Sequence, residues 1–225
     1  MKKVICFVNT TKKHTDRIDN ISKTWAEKID TVFYSDHSDP ENNVIKVSNR
    51  DDYASGEEKQ INVLNKLSEL TDGDDNSLLD LYDWVFFVDD DTFVNVENLE
   101  SNIDSFDEDK VYGSIFDSTK DAENPMYANK VISLDAKFPS GGAGFLVSTK
   151  IIKGIETFSN YHTICGDVSA GLNFYFNQVE QVNSDLFNSQ NPEFYGHSDE
   201  EISGMISYHY IKTFEEMSAL FGVVI

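Results

Sequence analysis

VFFVDDDTFV, residues 85–94, runs four apolar side chains straight into three adjacent aspartates. Together with the preceding residues, DWVFFV (83–88) reads as a fully apolar strand of the kind found at the centre of a parallel sheet. Three neighbouring carboxylates repel one another by about 1 kcal/mol per close pair in water, and by more in a partly buried crevice. Open α/β sheets bind ligands at the carboxyl ends of their strands, so Asp89, Asp90 and Asp91 stand where a ligand is expected. A divalent cation would turn the repulsion into binding energy. Oxygen ligands favour Mg²⁺ or Mn²⁺, which reach a protein through one or two carboxylates while holding phosphates. The plain alternative is an exposed acidic turn.

On either side of this stretch, strand and helix patterns alternate. KVICFVN (to residue 9) is strand-like, and Ile18, Ile21 and Trp25 then follow at helical spacing. TVFYSD (31–36) and NVIKVS (43–48) read as strands, and EEKQINVLNKLSEL (57–70) sets Ile61, Leu64 and Leu67 on one helical face. Beyond residue 110 the pattern predicts a strand at KVYGSIF, a loop with Pro125, and a strand running into a helix within FPSGGAGFLVSTKIIKGIETF. It continues with a helix at GDVSAGLNFYFNQ, a short strand at VEQVNS, a strand at ISYHYIK and a terminal helix. Such alternation indicates an α/β, Rossmann-like doubly wound sheet. The expected layout is one domain over 1–225, with a nucleotide-binding half to about residue 110 joined to a substrate half on the acceptor side, 111–225.

The 225 residues carry a net charge of −22, which repels polyanions and argues against nonspecific binding to nucleic acid or anionic membrane. An anionic substrate would need a local cation in so acidic a chain. No apolar run approaches the roughly 20 residues that span a bilayer, and MKKVICFVNTTKK has too short an apolar run for a signal peptide. The expectation is a soluble, cytoplasmic protein with no transmembrane segment. Cys6 and Cys165 show no metal or disulfide spacing and read as free thiols. TDGDDNS departs from a calcium loop at Ser77 and Asp83 and reads as an acidic loop.

Three further stretches could bear chemistry. SGGAGF (140–145) clusters glycines where a ligand can approach backbone, although turns and bulges use them equally. Asp167 in GDVSAG is eligible as a general base, or as a helix cap. His209 in ISYHYIK is a lone histidine whose meaning depends on what folds beside it.

Taken in order, NTTKKHTDRIDNISKTW, WVFFVDDDTFVNVENL, FPSGGAGFLVS, GDVSAG and SYHY resemble the Fringe and core-1 β1,3-galactosyltransferase group, inverting family-31 glycosyltransferases of GT-A fold. The resemblance runs from about residue 9 to 215. It implies that Asp89, Asp91 and His209 serve a Mn²⁺ or Mg²⁺ site, and that Thr10, Arg17, Asp36, Lys59 and Asp90 line the nucleotide. Gly141 and Gly142 would lie against the donor sugar, and Asp167 would be the base. The implied reaction moves a hexose or N-acetylhexosamine from a UDP-sugar to a glycan or glycoconjugate acceptor, with a β1,3-type linkage.

Gly166 stands where relatives carry an acid before the aspartate, and the secretory-pathway cysteines and membrane anchor are absent from this sequence, which suits a bacterial or viral relative. A haloacid-dehalogenase-type phosphatase is the rival enzyme, with Asp89 as nucleophile and Asp91 as acid/base. Against it, Thr92-Phe93 replaces the Gly-Thr expected after D-x-D. A noncatalytic nucleotide- or sugar-binding protein on the same fold is the third reading.

Overall fold

The computed structural model describes residues 2–117 and 136–224. The loop around Pro125 lies outside the described residues. Twelve strands are present among them: β1 (Val4–Asn9), β2 (Thr31–Ser35), β3 (Val44–Lys46), β4 (Trp84–Asp89), β5 (Phe93–Val94), β6 (Lys110–Gly113), β7 (Ile115–Asp117), β8 (Lys137–Pro139), β9 (Phe145–Ser148), β10 (Glu180–Asn183), β11 (Phe187–Asn188) and β12 (Ser207–Tyr208). The main sheet has the order β10-β6-β9-β4-β1-β2-β3. Only β9 runs against its neighbours, pairing antiparallel with β4 and β6, so the sheet is mixed but mostly parallel. It draws strands from both halves of the sequence, which makes the chain one domain.

Alternation along the strands explains why β1 and β4 are apolar throughout. Val4, Cys6 and Val8 of β1, with Trp84, Phe86 and Val88 of β4, face a layer formed by helix Thr15–Ser22, Trp25 and Met217 of helix Phe214–Val224. Ile5 and Phe7, with Val85 and Phe87, face the opposite layer, formed by helices Gly56–Lys66, Thr149–Gly154 and Gly166–Phe176. Strands buried on both faces have no solvent side to leave polar. Phe87 packs its ring on Phe145 at 5.1 Å and on Phe7 at 5.8 Å, tying the centre of the sheet together.

Two expectations change in detail. KVYGSIF is not one strand: β6 joins the main sheet, and beyond Ser114 β7 leaves it to pair with β8, stacking Phe116 on Phe138. ISYHYIK keeps only Ser207–Tyr208 as strand, because Tyr210 takes a left-handed φ of 61° and turns the chain. Cys6 and Cys165 are both free thiols. Asp72 spends its carboxylate on the amides of Asp74 and Asn76, as an ordinary acidic loop does. Among the described residues, no helix is long and apolar enough to cross a membrane.

Candidate active site

The strand order β3-β2-β1-β4 means that the chain leaves β1 to one side and β4 to the other, which opens a crevice at their carboxyl ends. Register makes the crevice acidic: Asn9, the last residue of β1, is the direct partner of Asp89, the last of β4. A cleft of about 740 Å³ sits there. Every residue singled out from the sequence lines it except Asp36.

One wall is built around Asp90. Its carboxylate accepts from Thr10 Oγ1 at 2.8 Å and from Arg17 Nη1 at 2.5 Å, and lies 3.2 Å from His14 Nδ1. Helix Thr15–Ser22 buries Ile18 and Ile21, which directs Arg17 into the cleft. Burial raises the Asp90 pKa and Arg17 pulls it back. Burial also works against the Arg17 charge, but Asp90 and Asp91 overcome it and hold the guanidinium more firmly protonated than usual.

Asp91 and His209 form the centre. His209 Nε2 stands 3.1 Å from Asp91 Oδ1, with Arg17 Nη1 3.5 Å from the other carboxylate oxygen. The pairing follows from topology: β12 runs antiparallel to β5, which begins just past Asp91, and the Ile211 amide donates to the Asp91 carbonyl. The turn at Tyr210 stacks that ring on His209, with centroids 3.8 Å apart. Burial opposes charge on both partners, yet their mutual attraction wins, lowering the Asp91 pKa and raising that of His209. Asp89 does not share this bond; its Oδ1 accepts from Asn9 Nδ2 at 3.1 Å. Burial, with Asp91 adding repulsion and His209 opposing, pushes Asp89 up to about 7.

Among the described residues, no group of three or more His, Cys, Asp or Glu side chains forms a ready-made metal cage. The Asp91–His209 pair nonetheless fits a divalent ion that takes its remaining ligands from phosphate and water, the usual habit of Mg²⁺ and Mn²⁺. Asp91 and His209 are the residues that would hold it.

The opposite wall carries Asp167, in the first turn of helix Gly166–Phe176. Its Oδ2 accepts from the Gly141 amide at 2.8 Å and its Oδ1 from the Val168 amide at 2.8 Å. Burial raises its pKa and these amides restrain the rise. The helix cap position belongs to Cys165, which makes no side-chain cap bond, and Asp167 joins the first turn of its helix, through the Val168 amide, to the glycine loop, through the Gly141 amide. Gly142 has a second reason to be glycine: a methyl there would overlap the His209 imidazole. Gly166 likewise has no room for a side chain, since a Cβ would stand 2.6 Å from Gln60 Cβ and 2.7 Å from the Gly56 carbonyl oxygen. Close helix packing thus excludes an acid at that position.

A family profile described as Fringe-like matches residues 1–216. The chain belongs to the Fringe-like family of glycosyltransferases. No curated protein matches this Fringe-like chain in sequence. Among solved structures it is similar to a glycosyltransferase involved in the glycosylation of the major capsid of PBCV-1, with 13% identity, 97% of this chain and 98% of that chain covered, and a TM-score of 0.53. It is also similar to the galactosyltransferase LgtC in complex with donor and acceptor sugar analogs, with 14% identity, 97% and 95% covered, and a TM-score of 0.54. These likenesses show that the fold is GT-A.

In the Fringe-like chain Asp36 stands behind the cleft. Its carboxylate accepts from the Lys12 amide at 3.2 Å and the Ser35 hydroxyl at 3.1 Å and lies 3.7 Å from Lys59 Nζ. Lys59 in turn donates to the Thr10 carbonyl at 2.9 Å, so this pair braces the loop after β1. Asn9, His14 and Gln60 line the cleft and were not anticipated. Asn9 could have been found as the polar residue closing an apolar strand, and His14 as the neighbour of Arg17 one helical turn earlier.

The Asp90 wall yields a stability prediction. Asp90→Ala removes the main partner of a largely buried guanidinium and should cost about 3 kcal/mol, whereas Thr10→Val, which deletes one hydrogen bond, should cost about 1 kcal/mol. Urea unfolding midpoints measure both; equal, negligible losses would mean that solvent already screens the network.

Proposed function

We propose that this protein is an inverting, divalent-cation-dependent transferase. It moves a hexose or N-acetylhexosamine from a UDP-sugar to a hydroxyl of a glycan or glycoconjugate and forms a β1,3-type linkage. The observation that carries the reading is the placement of Asp167. Its carboxylate is fixed by the Gly141 amide and faces the same cleft as the Asp91–His209 pair and Arg17. A proton acceptor stands on one wall and the cation-bearing groups on the other, as displacement at an anomeric carbon between them requires.

In this reading the nucleotide lies along the 1–110 half, near Thr10, Arg17 and Lys59, and the sugar and acceptor lie along the 111–225 half, near Gly141 and Gly142. The acceptor hydroxyl oxygen bonds to the anomeric carbon as the bond from that carbon to the diphosphate oxygen breaks, inverting the configuration. Asp167 takes the hydroxyl proton, and a pKa raised by burial makes it a stronger base than an exposed aspartate. Arg17, preorganised by Asp90, offers fixed positive charge to the diphosphate as its charge grows. A Mn²⁺ or Mg²⁺ ion held by Asp91 and His209, with Asp89 beside them, supplies Lewis-acid stabilisation of the leaving group when bound. The phosphatase reading has no support in a chain of the Fringe-like family.

Two outcomes test this. Asp167→Asn should lower transfer by roughly 10²–10⁴-fold while Mn²⁺-dependent UDP binding stays within a few-fold; undiminished turnover would reject Asp167 as the base. A cation held by Asp91 and His209 would compete with protons for His209, whose pKa is raised by Asp91, and for Asp89, whose pKa is about 7. UDP affinity at fixed Mn²⁺ should therefore weaken as pH falls from about 8 to about 6, by up to ~10-fold per unit for one proton released. Affinity that ignores pH over that window would remove His209 from the ligand set.

A further inference from the structure

Tyr34, Asn9 and Asp89 stand side by side on three adjacent parallel strands, with Asn9 in register with Tyr34 of β2 on one side and with Asp89 of β4 on the other. Register partners on parallel strands project from the same face. The three therefore form a polar row along the carboxyl edge of the sheet, on the face where Phe7 and Phe87 are buried. Gln60, on helix Gly56–Lys66, meets this row: its Oε1 accepts the Tyr34 hydroxyl at 2.7 Å. The same side chain is wedged against Gly166, the residue before Asp167, where an added methyl would come within 2.6 Å of it. The row thus runs across the cleft floor from the Asp167 helix start to Asp89.

Two of its polar atoms have no partner among the described residues. Asn9 gives Nδ2 to Asp89, which leaves Oδ1 unpaired, and Gln60 commits Oε1 to Tyr34, which leaves Nε2 unpaired. Gln60 is only 6% exposed, and both residues line the cleft. Buried carboxamide atoms are almost always satisfied in folded proteins, so an orphaned donor and an orphaned acceptor side by side at one cleft set this floor apart. Both amides are held in orientation by the bond each already makes.

We propose that Gln60 and Asn9 read hydroxyl groups on the transferred sugar of the nucleotide donor. Gln60 Nε2 donates to a sugar oxygen and Asn9 Oδ1 accepts from a sugar hydroxyl, a complementary pair because a hydroxyl offers both functions. The inference rests on the nucleotide-sugar reading above and deepens it. The location favours the sugar over the nucleotide: the anomeric carbon must lie one acceptor oxygen away from Asp167, and Gln60 packs against the residue preceding that aspartate. The Asp90 and Arg17 wall, where charge suits a diphosphate, is built by Thr10 and helix Thr15–Ser22 and does not include this row. A site that hydrogen-bonds a hydroxyl rejects an analogue lacking it more sharply than an apolar pocket can, so these two residues would set which hexose is accepted.

Equilibrium binding in Mn²⁺ of UDP, UDP-galactose, UDP-glucose and the monodeoxy analogues of the tighter sugar nucleotide tests the proposal, with wild type, Gln60→Met and Gln60→Glu. Gln60→Met preserves side-chain length; Gln60→Glu keeps an oxygen for Tyr34 and deletes the donor. The expected result is UDP affinity within about twofold of wild type in both variants, while the preferred UDP-hexose loses about tenfold or more. One monodeoxy analogue should bind wild type and Gln60→Met alike. Equal losses for UDP and UDP-hexose, or no loss for either, would overturn the proposal. Should neither variant fold, the analogues on wild type still decide, since unchanged affinity across every monodeoxy sugar overturns it. A wild type that binds no UDP at all overturns the nucleotide-sugar reading itself, a failure distinct from these.

Discussion

The in-register ending of β1 and β4 is the constraint on which the cleft depends. It brings Asn9 beside Asp89, and the alternation of the next residues sends Asp90 toward Thr10 and Arg17 while Asp89 stays on the Asn9 and Tyr34 side. Like charges are thereby divided between two walls, with Asp91 in the middle. Each aspartate then acquires a different environment: Asp90 is bonded by an arginine, Asp91 faces an imidazole with the same arginine farther off, and Asp89 accepts from a carboxamide. The pKa directions follow that division, with Asp91 below the ordinary range and Asp89 well above it.

Around this edge the rest of the fold acts as scaffolding for groups that arrive from far along the chain. β12 carries His209 to Asp91, and the glycine loop gives way to it at Gly142. Thr92 ties the two together by donating to the Gly142 carbonyl at 2.8 Å. Helices Gly56–Lys66 and Gly166–Phe176 approach closely enough to exclude a side chain at Gly166, the first residue of the helix that carries Asp167. The lack of an acid there is a consequence of packing.

Much of this was legible in the sequence because burial on two faces leaves a plain signature. VFFV ahead of three aspartates, with Ile18, Ile21, Ile61, Leu64 and Leu67 at helical spacing, specified both layers, and all of these residues are buried. What was hidden depends on distant partners. Nothing local in KVYGSIF shows that Phe116 leaves the sheet to stack on Phe138, and nothing in ISYHYIK shows that Tyr210 bends the strand to present His209. The contacts of Asp36, 3.7 Å from Lys59 and accepting from the Lys12 amide, likewise depend on elements that its local sequence does not show. Gln60 carried no signal, since its meaning lies in which of its atoms Tyr34 leaves unpaired.

We propose that the acidic strand end becomes a nucleotide-sugar site by recruiting a cation, in a chain whose net charge of −22 otherwise repels a diphosphate. Calorimetric titration of the wild-type protein with UDP, run in parallel in Mn²⁺ and in EDTA, tests it most directly. Saturable binding is expected with Mn²⁺, lost or weakened by at least about tenfold in EDTA. The same UDP affinity in both buffers would contradict it.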